Sequence, residues 1–430
     1  MPELPPGSIL IAEDLLPSQW SELRLDHLVG VCLANGGPTS HVAIIAASTS
    51  VPMLVATGAA VLQVAGGATV VLDAEAGCLE PAPTVERLAE VQQRLERLRG
   101  RQMRERSYAR RPGTTADGRR VEIFANIASE AEALRAVQNG AEGCGLLRTE
   151  FLFLERHSAP DEDEQAQRYQ AIVAALGDRP VVIRTLDIGG DKPIPYLPLP
   201  AEANPALGLR GIRASLWEPR LLHAQLRAIL RVRPVGQCRI LLPMISEPGE
   251  IRAVRRLLQE LQRDLACEAA VQLGAMIETP AAAVMADWIA READFLSVGT
   301  NDLTQYVLAM DRGNPELAAR VDGLHPAVLR LLDSTIRAAH RHGRPVAVCG
   351  GLASDPVAVP LLIGLGVDEL SVVPGAIVRL KALLAGLESE LCGQLAVQAL
   401  ELDTAEAVRA LGRAAVAKAE QSGMPAEESQ

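Results

Sequence analysis

VEIFANI at 121–127 and GCGLLR at 143–148 are two short, almost wholly apolar runs with a helical stretch between them. Six more runs of the same kind follow: VVIRTLD (181–187), RILLPM (239–244), QLGAMIE (272–278), FLSVGT (295–300), PVAVCG (345–350) and ELSVV (369–373). Strands this apolar are buried on both faces, and alternation with helices implies a parallel sheet covered on both sides. Eight such units predict a (β/α)₈ barrel, with a doubly wound open sheet as the alternative.

The ends of the runs favour the barrel. Six of the eight finish in a polar or reactive residue: Asn126, Arg148, Arg184 with Asp187, Glu278, Asn301 with Asp302, and Cys349. In a barrel these ends share one face, where active sites are built from the loops. Packing alone gives no reason for such residues to gather there.

Outward from the barrel, residues 1–83 alternate short apolar runs (SILIAEDL, VGVCLAN, ATVVLDAE) with Gly and Pro turns, the pattern of a small α/β unit. Residues 84–112 are rich in Arg, Glu and Leu. Val85, Leu88, Val91, Leu95 and Leu98 fall three and four apart, which predicts an amphipathic connecting helix with a solvated charged face. The barrel is expected over 113–400. A C-terminal helix and a polar, disordered tail, SGMPAEESQ, are expected over 401–430.

Composition narrows the function classes. Hydrophobic residues make up 48% and charged residues 22%, the balance of a soluble globular protein. The net charge of −11 argues against nucleic acid as a partner, so an anionic ligand must be held by locally placed Arg and Lys. No apolar run is long enough to span a bilayer, and MPELPPGSIL lacks the pattern of a signal peptide. Seven scattered cysteines without a CxxC pair suggest reduced thiols and a cytoplasmic location.

NGGPTSHVAIIAAS, from residue 35, carries the first chemical signal. Gly36 and Gly37 permit a tight turn, and Thr39 or Ser40 can cap the helix-like run that follows. His41 then falls in a first helical turn, where free N–H groups and the helix dipole favour an anion. Imidazole is a competent nucleophile toward phosphorus and a good leaving group afterwards.

GGPTSH resembles the phosphohistidine loop of the phosphoenolpyruvate-utilising enzymes. GLLRTEFLFLER, IRTLDIGGDKPIPY, NPALGLRGIR, IETPAA and SVGTNDLTQYVLAMDRGN resemble Enzyme I of the sugar phosphotransferase system, from about residue 8 to 385. CGGLASDP is similar to the Enzyme I module of fructose-type multiphosphoryl transfer proteins. The resemblance implies a small swivelling phosphohistidine domain joined by a helical linker to a phosphoenolpyruvate-binding barrel. It implies transfer of the phosphoryl group of phosphoenolpyruvate to His41, release of pyruvate, and onward transfer to a histidine of the phosphocarrier HPr.

The resemblance also implies residue roles. Arg148, Arg184 and Arg312 match substrate-binding arginines, Asn301 an amide contact, and Lys192 and Arg210 further cations near the phosphate. Arg suits phosphate and carboxylate because its planar fork donates two parallel hydrogen bonds. Glu278 and Asp302 match ligands of Mg²⁺, a cation held by one or two carboxylates plus water and substrate oxygens; Asp302 also borders the substrate. Cys349 matches the donor of a proton to pyruvate enolate, and the other six cysteines are expected to be small buried hydrophobes. A homodimer formed through the barrel is implied as well.

Three features depart from the resemblance. The family's helical HPr-docking subdomain has no counterpart in these residues. Ala47 stands where an Arg follows the phosphohistidine, and Gly351 stands where Glu follows the cysteine motif. Two other functions fit parts of the pattern: a regulatory module that senses phosphoenolpyruvate without turnover, and a fragment of a dikinase or phosphoenolpyruvate synthase. No P-loop supports a nucleotide site.

Overall fold

The computed structural model describes residues 4–15, 19–20, 23–24, 27–37, 51–74, 76–154, 156–189, 196–197, 199–200 and 202–422. His41, Ala47 and Lys192, the expected cap residues Thr39 and Ser40, and almost all of the expected C-terminal tail lie outside the described residues. The chain divides into two compact units, Met1–Arg101 and Gln102–Gln430.

In the first unit, β1 (Ser8–Ala12), β2 (Leu28–Leu33) and β3 (Met53–Leu54) form a parallel sheet in that order. Leu15, Trp20, Leu28, Val31 and Leu33 are its buried core. β4 (Val70–Asp73) and β5 (Cys78–Pro81) make a separate antiparallel pair. The connecting helix forms as the periodicity predicts, over Val85–Tyr108, with Thr84 Oγ1 accepting from Arg87 N–H at its start. Its apolar stripe is not buried: Val85 is 79% exposed and no residue of the helix is in the core. Arg87 and Arg94 tie it by charge to Glu80 and Asp73 of the adjacent hairpin.

All eight predicted strands appear in the second unit. They are β6 (Glu122–Ile127), β7 (Cys144–Leu147), β8 (Val181–Arg184), β9 (Cys238–Leu242), β10 (Leu273–Ile277), β11 (Leu296–Val298), β12 (Val346–Val348) and β13 (Glu369–Val372). Every neighbouring pair is parallel, and β13 pairs with β6 in register Glu369↔Glu122 to Val372↔Ala125, which closes the sheet into a barrel rather than leaving it open.

Alternation along each strand sends one set of side chains outward and the other inward. Ile183, Ile240, Leu242, Ala275 and Ile277 join a large core with residues of the surrounding helices, such as Ile172 and Leu226. Leu146, Val182, Leu241, Met276, Phe295 and Cys349 form a separate inner cluster. Gly274 makes room there: a Cβ on it would lie 2.4 Å from the Phe295 ring.

All seven cysteines are free. The expectation that every cysteine other than Cys349 is buried does not hold, since Cys78 is exposed at the start of β5 and Cys267 is half-buried in a loop. Short edge strands and loops leave side chains open to water whatever their hydrophobicity. Among the described residues no helix is long and apolar enough to cross a membrane.

Candidate active site

The C-terminal ends of the barrel strands surround a cavity of about 350 Å³. Arg148 follows the last residue of β7, Arg184 is the last residue of β8, Glu278 follows β10 and Cys349 follows β12. All four line the cavity, with Asn126, Arg210, Asn301, Asp302 and Arg312. The eight barrel residues to which the resemblance assigns roles, and that lie in the described part of the chain, are therefore brought together, with the strand-end residues Asn126 and Asp187.

One local detail differs from the sequence reading. Asn301 and Asp302 do not end a strand; they sit in the first turn of the helix Thr300–Leu308. Gly299 breaks the extended backbone, and β11 stops at Val298. A Cβ on Gly299 would lie 2.7 Å from Glu278 Oε2, so a larger residue there would press on that carboxylate.

Two guanidinium groups are locked by buried acids. Arg184 Nη2 donates to Glu150 Oε1 at 2.9 Å, and Nη1 lies 3.3 Å from Asp187 Oδ2. Arg210 presents Nε and Nη2 to the two oxygens of Asp187, both at 3.2 Å, and Nη1 to Asp302 Oδ1 at 2.8 Å. Burial works against the Arg184 charge, yet Glu150 and Asp187 hold it on. Removing one partner of such a pair leaves an uncompensated buried charge. Arg184→Met is therefore expected to lower stability by about 3–5 kcal/mol. A urea midpoint at the wild-type value would show that Glu150 and Asp187 are not held by Arg184.

Other donors are left open. The buried Nε atoms of Arg148 and Arg184 have no hydrogen-bond partner among the described residues. Orphaned buried donors are costly, and an anion in the cavity would satisfy them. Arg148 also stacks over Phe151, 5.6 Å from the ring centre, which fixes the plane of its fork. Arg312 is half-exposed and lies 3.6 Å from Asp302 Oδ1. Asn301 Oδ1 accepts from Gly351 N–H at 2.8 Å, which leaves its amide N–H₂ as the donor for a ligand.

The acids carry the opposite strain. Burial, then the charges of Asp187 and Asp302, push the Glu278 carboxyl well above the ordinary carboxylate range. One of its oxygens accepts from Met244 N–H at 2.6 Å. Among the described residues no three His, Cys, Asp or Glu side chains make a complete metal cage. Glu278 and Asp302 instead offer a pair of hard oxygen donors, a set that suits a divalent cation completed by water and ligand oxygens. Such a cation would offset the repulsion that raises Glu278.

Cys349 is 5% exposed and belongs to the inner cluster. Burial pushes its thiol up to about 12, with the Ser297 hydroxyl and Arg184 pulling the other way. The group is a thiol at neutral pH and carries a transferable proton. Asn126 Nδ2 donates to Cys349 O at 3.0 Å and to Ser371 O at 2.9 Å, holding the end of β12 against β13. A Cβ on Gly350 would lie 2.0 Å from Thr300 Oγ1, so glycine lets the cysteine loop close on the helix start.

Sequence reasoning assigned no role to four residues that shape the site. Glu150 lies two residues beyond Arg148 in LLRTE, and Asp187 ends a predicted run, so both carried a positional signal. Tyr306, whose hydroxyl accepts from Arg210 Nη1 at 3.2 Å, lies one helical turn from Asp302. Gln225 had no signal at all. It is buried on the helix Pro219–Leu230 and donates to Thr149 Oγ1, which in turn donates to the Arg184 carbonyl.

A closed parallel barrel with arginines, paired carboxylates and a thiol at its C-terminal mouth defines a barrel enzyme of the anion-handling kind. Comparison with known proteins makes this specific. Residues 102–389 match the PEP-binding domain of PEP-utilising enzymes, and residues 4–77 match the mobile domain of the same enzymes. The chain belongs to the PEP-utilising enzyme family.

It is 47% identical over 412 residues to the multiphosphoryl transfer protein of Xanthomonas campestris pv. campestris, covering 96% of this chain and 49% of that protein. The multiphosphoryl transfer protein of Rhodobacter capsulatus is also 47% identical, over 94% of this chain and 49% of its own length. The phosphoenolpyruvate-protein phosphotransferase of Bacillus sp. (strain S) is 42% identical over 93% of this chain and 70% of its own. The chain spans about half the length of the multiphosphoryl transfer proteins it matches.

Proposed function

We propose that the chain is a phosphoenolpyruvate-protein phosphotransferase, in which the barrel cleaves phosphoenolpyruvate and His41 carries the phosphoryl group. What carries this reading is the convergence at one cavity of four arginines, a carboxylate pair and a protonated buried thiol. Phosphoenolpyruvate has a phosphate, a carboxylate and a methylene carbon that must be protonated, and each has a matching group.

Arg148, Arg184 and Arg312, with the Asn301 amide, hold the phosphate and carboxylate; Arg210 and Lys192 add positive charge nearby. Glu278 and Asp302 would hold Mg²⁺, which would supply positive charge to offset the negative charge developing on the substrate. A His41 ring nitrogen forms the new bond to phosphorus as the bridging P–O bond breaks, and the electron pair passes to the enolate. The Cys349 thiol gives its proton to the enolate methylene carbon, yielding pyruvate, and the thiolate regains a proton from solvent. Phosphohistidine then passes its group to a histidine of an HPr-type carrier. The seven free thiols support a cytoplasmic site of action.

The direct test is incubation with phosphoenolpyruvate labelled at phosphorus, with and without Mg²⁺. Acid-labile, base-stable label on the protein and one equivalent of pyruvate are expected, both lost when EDTA removes the metal. Pyruvate without label, or neither product with Mg²⁺ present, would overturn the reading. A homodimer through the barrel, implied by the resemblance to Enzyme I, is part of the same proposal. Sedimentation at micromolar concentration is expected to give twice the monomer mass, and monomer alone would reject it.

A further inference from the structure

We propose that Arg409, on the helix Ala405–Ser422, is a positioning residue for the loops that carry Arg312 and Cys349; the inference rests on the function proposed above. The helix lies beyond the last barrel strand and contributes nothing to the substrate cavity. Arg409 nevertheless joins two of the loops that build that cavity. Its Nε and Nη2 donate to the two oxygens of Asp322, at 2.5 and 2.8 Å, in the two-pronged geometry that holds a carboxylate in one orientation. Its third nitrogen, Nη1, donates to Asp355 Oδ2 at 2.8 Å.

Each acid is itself wired into its loop. Asp322 closes the segment that begins with Arg312, and its Oδ1 and backbone carbonyl accept from Leu324 and His325 N–H. Asp355 ends the turn Gly351–Ser354 that follows Cys349, and its Oδ1 accepts from Val357 N–H at 2.9 Å. One guanidinium therefore spans the loop of a phosphate-binding arginine and the loop of the proton donor. Their relative placement is what near-attack geometry demands.

The helix is seated closely enough to act as a fixed reference. Val408 is fully buried, and a Cβ on Gly412 would lie 2.3 Å from the Val357 carbonyl oxygen. Arg409 and Asp355 also line a second cavity, of about 300 Å³, which shares Asn301, Arg312 and Gly351 with the substrate cavity. Arg409 and Asp355 therefore border the space next to the substrate cavity, not the cavity itself.

Arg409→Met removes both arms and leaves two like charges where the guanidinium stood. Pyruvate release is expected to slow by roughly tenfold to a hundredfold, the usual effect of an ångström of misplacement, and KM for phosphoenolpyruvate is expected to rise with it. Asp355→Asn weakens only the arm to the cysteine loop. It is expected to lower kcat by a smaller factor while leaving KM near the wild-type value, because the Asp322 pair still holds the Arg312 side. General destabilisation does not produce that split between kcat and KM.

Wild-type kcat and KM in folded Arg409→Met would overturn the clamp. If that variant does not fold, unchanged kinetics of Asp355→Asn would do so. A wild-type protein that takes no label from phosphoenolpyruvate instead refutes the function on which the clamp rests, so the two failures are distinct.

Discussion

His41→Ala is expected to take no phosphoryl label from phosphoenolpyruvate, while the barrel keeps its affinity for the substrate. The substitution removes the nucleophile outright, since alanine has no nitrogen to form a phosphoramidate that is stable in base and labile in acid. The groups proposed to bind substrate belong to the second unit, Gln102–Gln430, whereas position 41 belongs to the first. Binding and transfer should therefore separate. Label would be read after gel separation with and without acid treatment, and affinity by calorimetry with phosphoenolpyruvate and Mg²⁺. Undiminished label on the variant would remove His41 from the mechanism. Affinity lost together with label would mean that the barrel site is incomplete without that residue.

The second large effect is expected at Cys349. Burial holds its thiol at about 12, so it enters the reaction protonated across the neutral range. Cys349→Ala removes the proton source but leaves Arg148, Arg184 and Arg312 in place. A positioned general acid contributes roughly 10²- to 10⁴-fold, and pyruvate formation is expected to fall by a factor in that range. KM should change little, since the thiol makes no contact with the phosphate or carboxylate in the proposed arrangement. Coupling pyruvate release to lactate dehydrogenase gives the rate directly. A variant turning over at the wild-type rate would eliminate Cys349 as the donor and shift attention to solvent.

The barrel arginines raise a separate issue of charge. Four of them line a cavity that also holds Asp187, Glu278 and Asp302. Arg210 is fully engaged by acids, and Arg184 is partly so, whereas the buried Nε of Arg148 has no hydrogen-bond partner among the described residues. The family resemblance treats all four as positive charge near the substrate. The hydrogen bonds divide them into anchors that brace the acids and donors left open to the cavity. Glu150 is central to that division, because its Oε1 accepts from both Arg184 Nη2 and Asp187 N–H.

How much of this was legible beforehand depends on the range of the interaction. Strand existence and strand-end residues are local properties. The apolar runs and the polar residues that close them are enough to place Arg148, Arg184, Glu278 and Cys349 at one barrel face. The boundary after β11 was misread because the backbone turns at Gly299, and a run such as FLSVGT does not distinguish a strand end from a helix start. Gln225 and Arg409 were silent for a different reason. Each is one polar residue on an otherwise ordinary helix, and its partners lie far along the chain.

The barrel and the chemistry-bearing residue types are legible in the chain because period and turn glycines act over a few residues, and the family because its motifs are short contiguous runs. Tertiary structure alone decided which charges meet. Asn126 reaches the Cys349 carbonyl across 223 residues only because β13 closes on β6. Arg210 spans Asp187 and Asp302, and Arg409 ties Asp322 to Asp355, through loops that no local pattern pairs. Closure of the sheet and the seating of the last helix set those distances, and burial then makes each pairing matter.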